Sequence, residues 1–198
     1  VGQAYAEVAW LHDHWGYWGI NTISSDECVN PVRNPGNDWS DDGYWKGFND
    51  HSWTANDLSF EFVWQYSNAG AVLCNKILSQ LESIKESLQQ AGLYDRFSAE
   101  LKVLRCYYYY TLFDSFGRIP YLDSYSSAAV PQSEPWEVWN KLVTLLEEEA
   151  PKLPAITDAN RAENYGRCSQ GMAYTLLARL YLNAVSYGVT AQNCGIEG

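Results

Sequence analysis

Methionine, histidine and basic side chains are scarce: one Met, three His and 13 Lys+Arg against 24 Asp+Glu, a formal net charge of −11 in 198 residues. A chain so short of cations is a poor partner for nucleic acid, because phosphate binding needs a basic face. No uninterrupted run of about 18 apolar residues is present, so no membrane-spanning helix is expected, and the chain does not open on a signal peptide. The five cysteines, Cys28, Cys74, Cys106, Cys168 and Cys194, include no CxxC pair, which excludes zinc-ribbon and thioredoxin-like readings. Cys74 and Cys106 lie on apolar helical faces, where a thiol behaves as a small hydrophobe. His12 and His14 are two apart on a predicted helix, so they diverge by about 200° and do not form a metal pair. GxSxG, HExxH, a phosphate-cradling glycine loop and a dinucleotide fingerprint are all missing. No cofactor and no metal are expected.

Aromatic residues are abundant instead. Nine Trp, fifteen Tyr and six Phe make up 15% of the chain. Apolar spacing of three and four residues predicts helices over residues 3–13, 58–90, 95–116, 134–150 and 169–186. The stretch 99–120, AELKVLRCYYYYTLFDSFGRIP, is apolar round most of its circumference and is expected as the central post of an all-helical domain. Its four consecutive tyrosines point all round the helix and pack into neighbours. Gly70, inside the second helix, costs about 1 kcal/mol against Ala unless another helix approaches closely there. Gly92 and Gly117 read as helix stops. Ser133 is expected to cap the fourth helix, with Glu147–Glu149 on a solvated face. Residues 104–117 and 175–188 echo one another at a spacing of 71 (188 − 117), about twice the ~34-residue period of tetratricopeptide helix pairs. The fold class expected is therefore all-α, a right-handed stack of tetratricopeptide-like helix pairs, in a single domain over 1–198.

Between residues 19 and 56 the periodicity disappears. This stretch is rich in Asn, Asp, Gly, Pro and Ser, the residues that set turns, yet it also carries Trp39, Tyr44, Trp45, Phe48 and Trp53. A long irregular loop in a compact domain is usually functional or disordered, and disorder goes with few aromatics, so function is favoured. Trp39 and Trp45, flanked by Gly36, Gly43 and Gly47, are the expected platform for the C–H face of a sugar ring. Arg33, Asn37 and Asp42 would hydrogen-bond its hydroxyls. The alternatives are that the indoles fold back onto the helices, or that Asp26, Glu27, Asp38, Asp41 and Asp42 supply the paired carboxylates of a glycosidase.

Four segments carry a resemblance to a known family. They are SSDECVNPVRNPGNDWSDDGYWKGFNDHSWT at 24–54, LKVLRCYYYYTLFDSFGRIPYLD at 101–123, PWEVWNKLVTLLEEEAPKLP at 135–154 and GRCSQGMAYTLLARLYLNA at 166–184. In order and spacing they resemble the SusD/RagB family of outer-membrane glycan-binding lipoproteins, with its Phe-Gly-x-x-Pro turn and its Gly-Arg-x-(Thr/Ser)-x-Gly-x-Ala helix start. The resemblance implies an all-α fold of tetratricopeptide-like pairs. It implies non-catalytic binding of oligo- or polysaccharide at the bacterial surface and association with a SusC-like TonB-dependent transporter. It also implies attachment to the outer membrane through a lipidated N-terminal Cys. That Cys is absent from this chain and family members are much longer, so an N-terminal part of a longer protein is expected. A helical scaffold whose main partner is the transporter is the alternative within the same resemblance.

Overall fold

The computed structural model describes residues 1–31 and 41–194. They form two compact units, Ala6–Ser67 and a second made of Val1–Tyr5 with Asn68–Gly198.

The first unit contains α1 (Ala6–Leu11), α2 (Tyr17–Ile23), a 3-10 turn at Asp41–Gly43 running into α3 (Tyr44–Asn49), and the first turns of α4 (Leu58–Ser83). Residues 19–56 are thus partly helical, where an irregular loop is expected. Turn-forming residues dominate the composition, but Tyr17, Ile20 and Ile23, then Trp45 and Phe48, recur at helical spacing and are buried. The reversal from α1 to α2 depends on glycine: a Cβ at Gly16 would lie 2.3 Å from the Leu11 carbonyl oxygen, and one at Gly19 would lie 1.7 Å from that of His14.

The second unit holds the rest of α4, α5 (Lys85–Gln90), α6 (Tyr94–Phe116), the two-residue strands β1 (Ile119–Pro120) and β2 (Gln132–Ser133), α7 (Pro135–Glu149), α8 (Arg161–Asn164) and α9 (Gln170–Leu182). The helix predicted over 58–90 is interrupted at Ile84, whose backbone leaves the helical region at φ −121°. At Gly92, φ is +69° and the Leu93 N–H reaches back to the Leu88 carbonyl at 2.9 Å, a glycine-terminated helix end that turns the chain into α6.

Helix α6 is the post that its pattern predicts. Fourteen of its residues are buried, Ser98 to Leu101, Val103 to Cys106 and Tyr108 to Phe113, so no side of its central turns faces water. Tyr108, Tyr109 and Tyr110 are among them. The Tyr108 hydroxyl donates to the Ala4 carbonyl at 2.7 Å, and Tyr109 bonds both the carbonyl (2.8 Å) and the N–H (3.0 Å) of Leu122. The close approach that Gly70 requires is present: a Cβ there would fall 2.3 Å from the Tyr108 ring. Helix α7 packs along α6, and α9 along α7, where the Trp139 indole N–H donates to the Leu180 carbonyl at 2.8 Å.

Two expectations fail for local reasons. Glu134, not Ser133, precedes α7, because Ser133 pairs with Ile119 across the antiparallel strands; the Glu134 N–H bonds the Glu137 carboxylate at 3.1 Å. Glu149 is not on a solvated face but buried, with Lys102 at 2.6 Å and Lys152 at 3.1 Å from its oxygens. Both cations snorkel from the surface to reach it.

The Gly-Arg-x-Ser-x-Gly segment acquires a physical meaning here. Gly166 takes φ +72°, and Ser169 caps α9 by accepting from the Met172 N–H at 3.3 Å. Between them Arg167 makes a two-pronged contact with buried Glu100, its Nε at 2.8 Å from Oε1 and its Nη2 on Oε2. Tyr5 donates to the same carboxylate and accepts from the Cys168 N–H at 3.0 Å. Burial and the bond to the Glu100 carboxylate push the Tyr5 hydroxyl far above its usual pKa, so it remains a donor, and the Glu100 contact raises that of Arg167. A buried cation, Arg105, bonds Asn75 and the Asp123 carbonyl, while Asn75 donates to the Leu122 carbonyl at 3.0 Å. Through it α6 holds the chain that leaves the β1 turn.

Candidate functional site

The unit Ala6–Ser67 is held together by rings. Trp15, Tyr44 and Trp45 meet pairwise with centroids 5.1 to 5.2 Å apart; Phe48 lies 5.5 Å from Trp45 and 5.7 Å from both Trp53 and Phe60. Most of these pairs are tilted or edge-on, the geometries the ring quadrupoles prefer. Tyr44 is fixed at its polar end as well, bonding the Ser59 hydroxyl and N–H at 3.0 Å each. His51 Nε2 lies 2.9 Å from the Ser24 carbonyl, which ties the end of α2 to the turn after α3. Among the described residues, no group of three or more His, Cys, Asp or Glu could hold a metal ion.

Of the residues singled out from sequence, Arg33, Asn37 and Trp39 lie outside the described residues. Asp42 is exposed, with φ +55°. Trp45 is 3% exposed and does not offer an open ring face. The expectation that it stands outward is corrected by its surroundings: three rings enclose it, and its indole N–H donates to the Asp41 carboxylate. Trp45 is a buried support for Asp41 at the start of α3, close to the alternative in which an indole folds back onto the helices. Gly43, one of the glycines that suggested an outward Trp, serves the backbone instead. Gly43 takes φ +87° at the start of α3, following Asp41 (φ +40°) and Asp42 (φ +55°). Two non-glycine residues in the left-handed region side by side cost on the order of 1–3 kcal/mol each, which surrounding structure must offset. The Asp41–Trp45 bond is the visible offset. It also occupies one of the carboxylates proposed for a glycosidase.

Several aromatic residues are open to water in this unit: Trp10 at 59%, Trp18 at 51% and Trp53 at 38%. The apolar pattern over residues 2–18 includes Trp10 and Trp18. In α1 the buried residue is Leu11, and Trp10, one position earlier and so about 100° round the helix, is turned to water. Trp18 falls after a break, since the helix expected over residues 3–13 ends at Leu11 and a second starts at Tyr17. The two adjoining glycines, Gly16 and Gly19, are the signal for that break.

Comparison with known proteins places the chain. A SusD-like family model, described as starch-binding and associating with the outer membrane, matches residues 19–182. Starch-binding protein SusD of Bacteroides thetaiotaomicron is 25% identical over 172 residues, 86% of this chain and 28% of SusD. A laminarin-binding SusD-like protein superposes with a TM-score of 0.70 at 23% identity, over 98% of this chain and 41% of that one. Surface glycan-binding protein A from Bacteroides fluxus gives 0.71 at 20% identity, over 93% and 39%. The chain spans less than half the length of these relatives, and the structural likenesses speak to its helical fold.

Proposed function

The chain belongs to the SusD-like family, and from that premise we propose that it is part of a non-catalytic surface protein that binds oligo- or polysaccharide for delivery to a TonB-dependent outer-membrane transporter. The family match over residues 19–182 is the observation that carries this reading. The ring-built unit Ala6–Ser67 adds a chemical reason. Sugar rings present an apolar C–H face and a rim of hydroxyls, and this unit offers exposed indoles beside acidic and amide groups. Anchoring at the outer membrane through a lipid on an upstream Cys belongs to the same proposal.

Within it, Trp39 stacks on a sugar ring while Arg33, Asn37 and Asp42 bond hydroxyls, and buried Trp45 steadies Asp41, the residue before Asp42. Affinity electrophoresis and calorimetry over a panel of neutral and acidic polysaccharides test the reading. Retarded migration in at least one polysaccharide, lost in Trp39→Ala and Arg33→Ala, is the expected result. No affinity for any of them would sink it, and copurification with the transporter alone would leave the scaffold role in its place. Release of reducing sugar would overturn the non-catalytic assignment.

A further inference from the structure

Beside the ring cluster, and built from other residues than the loop positions above, the unit Ala6–Ser67 contains a cavity of about 250 Å³. Trp10, Phe62 and Tyr66 supply its apolar walls, and Asp13 and His14 its polar rim. We propose that this cavity is a second carbohydrate subsite, one that takes a single uncharged hexopyranose unit of a glycan. The ligand class rests on the glycan-binding reading; the position is independent of it.

The geometry supplies both halves of sugar recognition. Tyr66 is stacked with two other rings, Trp10 at 6.2 Å and 16° and Phe62 at 5.9 Å and 27°. The row fixes the indole plane while leaving Trp10 59% exposed. An indole held in a set plane but open to water loses no further side-chain freedom when a pyranose covers it. Next to it, Asp13 Oδ1 accepts from the Trp15 N–H at 3.1 Å and lies 2.8 Å from His14 Nδ1. A carboxylate has about four lone-pair positions and these contacts use two, so acceptor capacity is left for a pair of sugar hydroxyls. With Nδ1 turned to Asp13, the far ring nitrogen of His14 is left for a third hydroxyl. The side chains of His14 and Asp13 are 56% and 42% exposed, within reach of solvent-borne ligand.

Size and charge narrow the occupant. Pockets that enclose drug-sized ligands run to roughly 300–1,000 Å³. This one is smaller, the scale of one ring with its linkage atoms rather than a chain segment. Asp13 in the rim and a net charge of −11 disfavour uronic or sulfated units. The cavity is also built rather than incidental. Gly16 lines it, and a Cβ at Gly16 would strike the Leu11 carbonyl, so the tight return that forms its wall excludes other residues there.

The full chain is titrated calorimetrically with neutral gluco-oligosaccharides, α- and β-linked, and run in gels containing neutral or carboxylated polysaccharide. Trp10→Ala is expected to weaken binding of the best neutral oligosaccharide at least about tenfold. Trp18→Ala, which removes an equally exposed indole outside the cavity, is expected to bind as the parent does. Melting curves check that each variant folds. Should Trp10→Ala not fold, Asp13→Asn decides, since it keeps the side-chain size and an acceptor for the Trp15 N–H while removing the charge; weaker binding is again expected. Unchanged affinity in the deciding variant, an equal loss in Trp18→Ala, or preference for the carboxylated polysaccharide overturns the subsite and leaves the glycan reading standing. Binding of no glycan by the parent chain overturns both.

Discussion

In the unit built on α6, long helices are tied by buried ions that reach across the sequence: Glu100 to Arg167, Lys102 to Glu149, Arg105 to Asn75. In Ala6–Ser67, short helices are held by aromatic rings, no ion pair there is buried, among the described residues, and three non-glycine residues sit at positive φ: Asp41, Asp42 and His51. The contrast separates two tasks. A bidentate contact to a buried carboxylate has one good geometry, so Arg167 on Glu100 fixes the register of α6 against the start of α9. Rings accept many tilts at similar energy, so a unit built of them can present different faces while keeping its core. Three of the four segments that carry the family resemblance, 101–123, 135–154 and 166–184, fall where the ions are. The groups suited to a sugar fall where the rings are.

The largest test of this contrast is Arg167→Ala. Stripping the partner from a buried carboxylate costs about 3–5 kcal/mol. Chemical denaturation followed by circular dichroism should show that loss. Arg161→Ala, which removes the exposed Arg161–Asp158 pair (2.9 Å), should change stability by less than about 1 kcal/mol. Equal effects would mean that the buried ions do not organise the helical unit.

A smaller effect is expected from Gly70→Ala. In an exposed helix the change would stabilise by about 1 kcal/mol through propensity. Here the new methyl meets the Tyr108 ring, itself bonded to Ala4, and overpacking should destabilise by about 1–3 kcal/mol. A rise in melting temperature would show that α4 and α6 can separate at that point, contrary to a rigid post. In the ring-built unit, Asp41→Ala leaves the Trp45 indole N–H without its acceptor and should cost about 1–2 kcal/mol. A change in tryptophan emission should accompany it; stability and emission both unchanged would remove Asp41 as the offset for the strained turn.

Much of the helical unit was legible because period and stop signals agree over many turns. Residues 95–116 read as a buried post, and Gly92 and Gly117 ended helices as their residue type requires. Gly70 announced a close contact, though not its partner. Buried charge was not legible: Glu100 and Glu149 look like any surface glutamate until residues 67 and 47 positions away in sequence are placed beside them. The candidate site was less legible still. Trp45 lies in a turn-rich stretch that suggests exposure, and only the packing of Trp15, Tyr44 and Phe48 buries it. Trp10 was illegible for the opposite reason, since it sits in an apolar run beside Leu11 and only the packing shows that Leu11 is the inward residue of α1.

The cysteines carry the mildest test and bear on the same division. Cys74, Cys106 and Cys168 are buried in the α6 unit, and burial pushes each thiol up to about 12. At pH 8 such a thiol is about one part in ten thousand thiolate, against roughly a quarter for an ordinary cysteine near 8.5. Cys28, in the other unit, is exposed, and Cys194 is partly so. Native protein treated with a thiol reagent at pH 8 should therefore label at two positions rapidly and at three only on unfolding. Cys28→Ser should change stability by no more than about 0.5 kcal/mol. Rapid modification of Cys106 would be the informative failure. That thiol lies in the middle of α6, so a reagent reaching it would require the post itself to open, and the rigidity assigned to the ion-tied unit would be wrong.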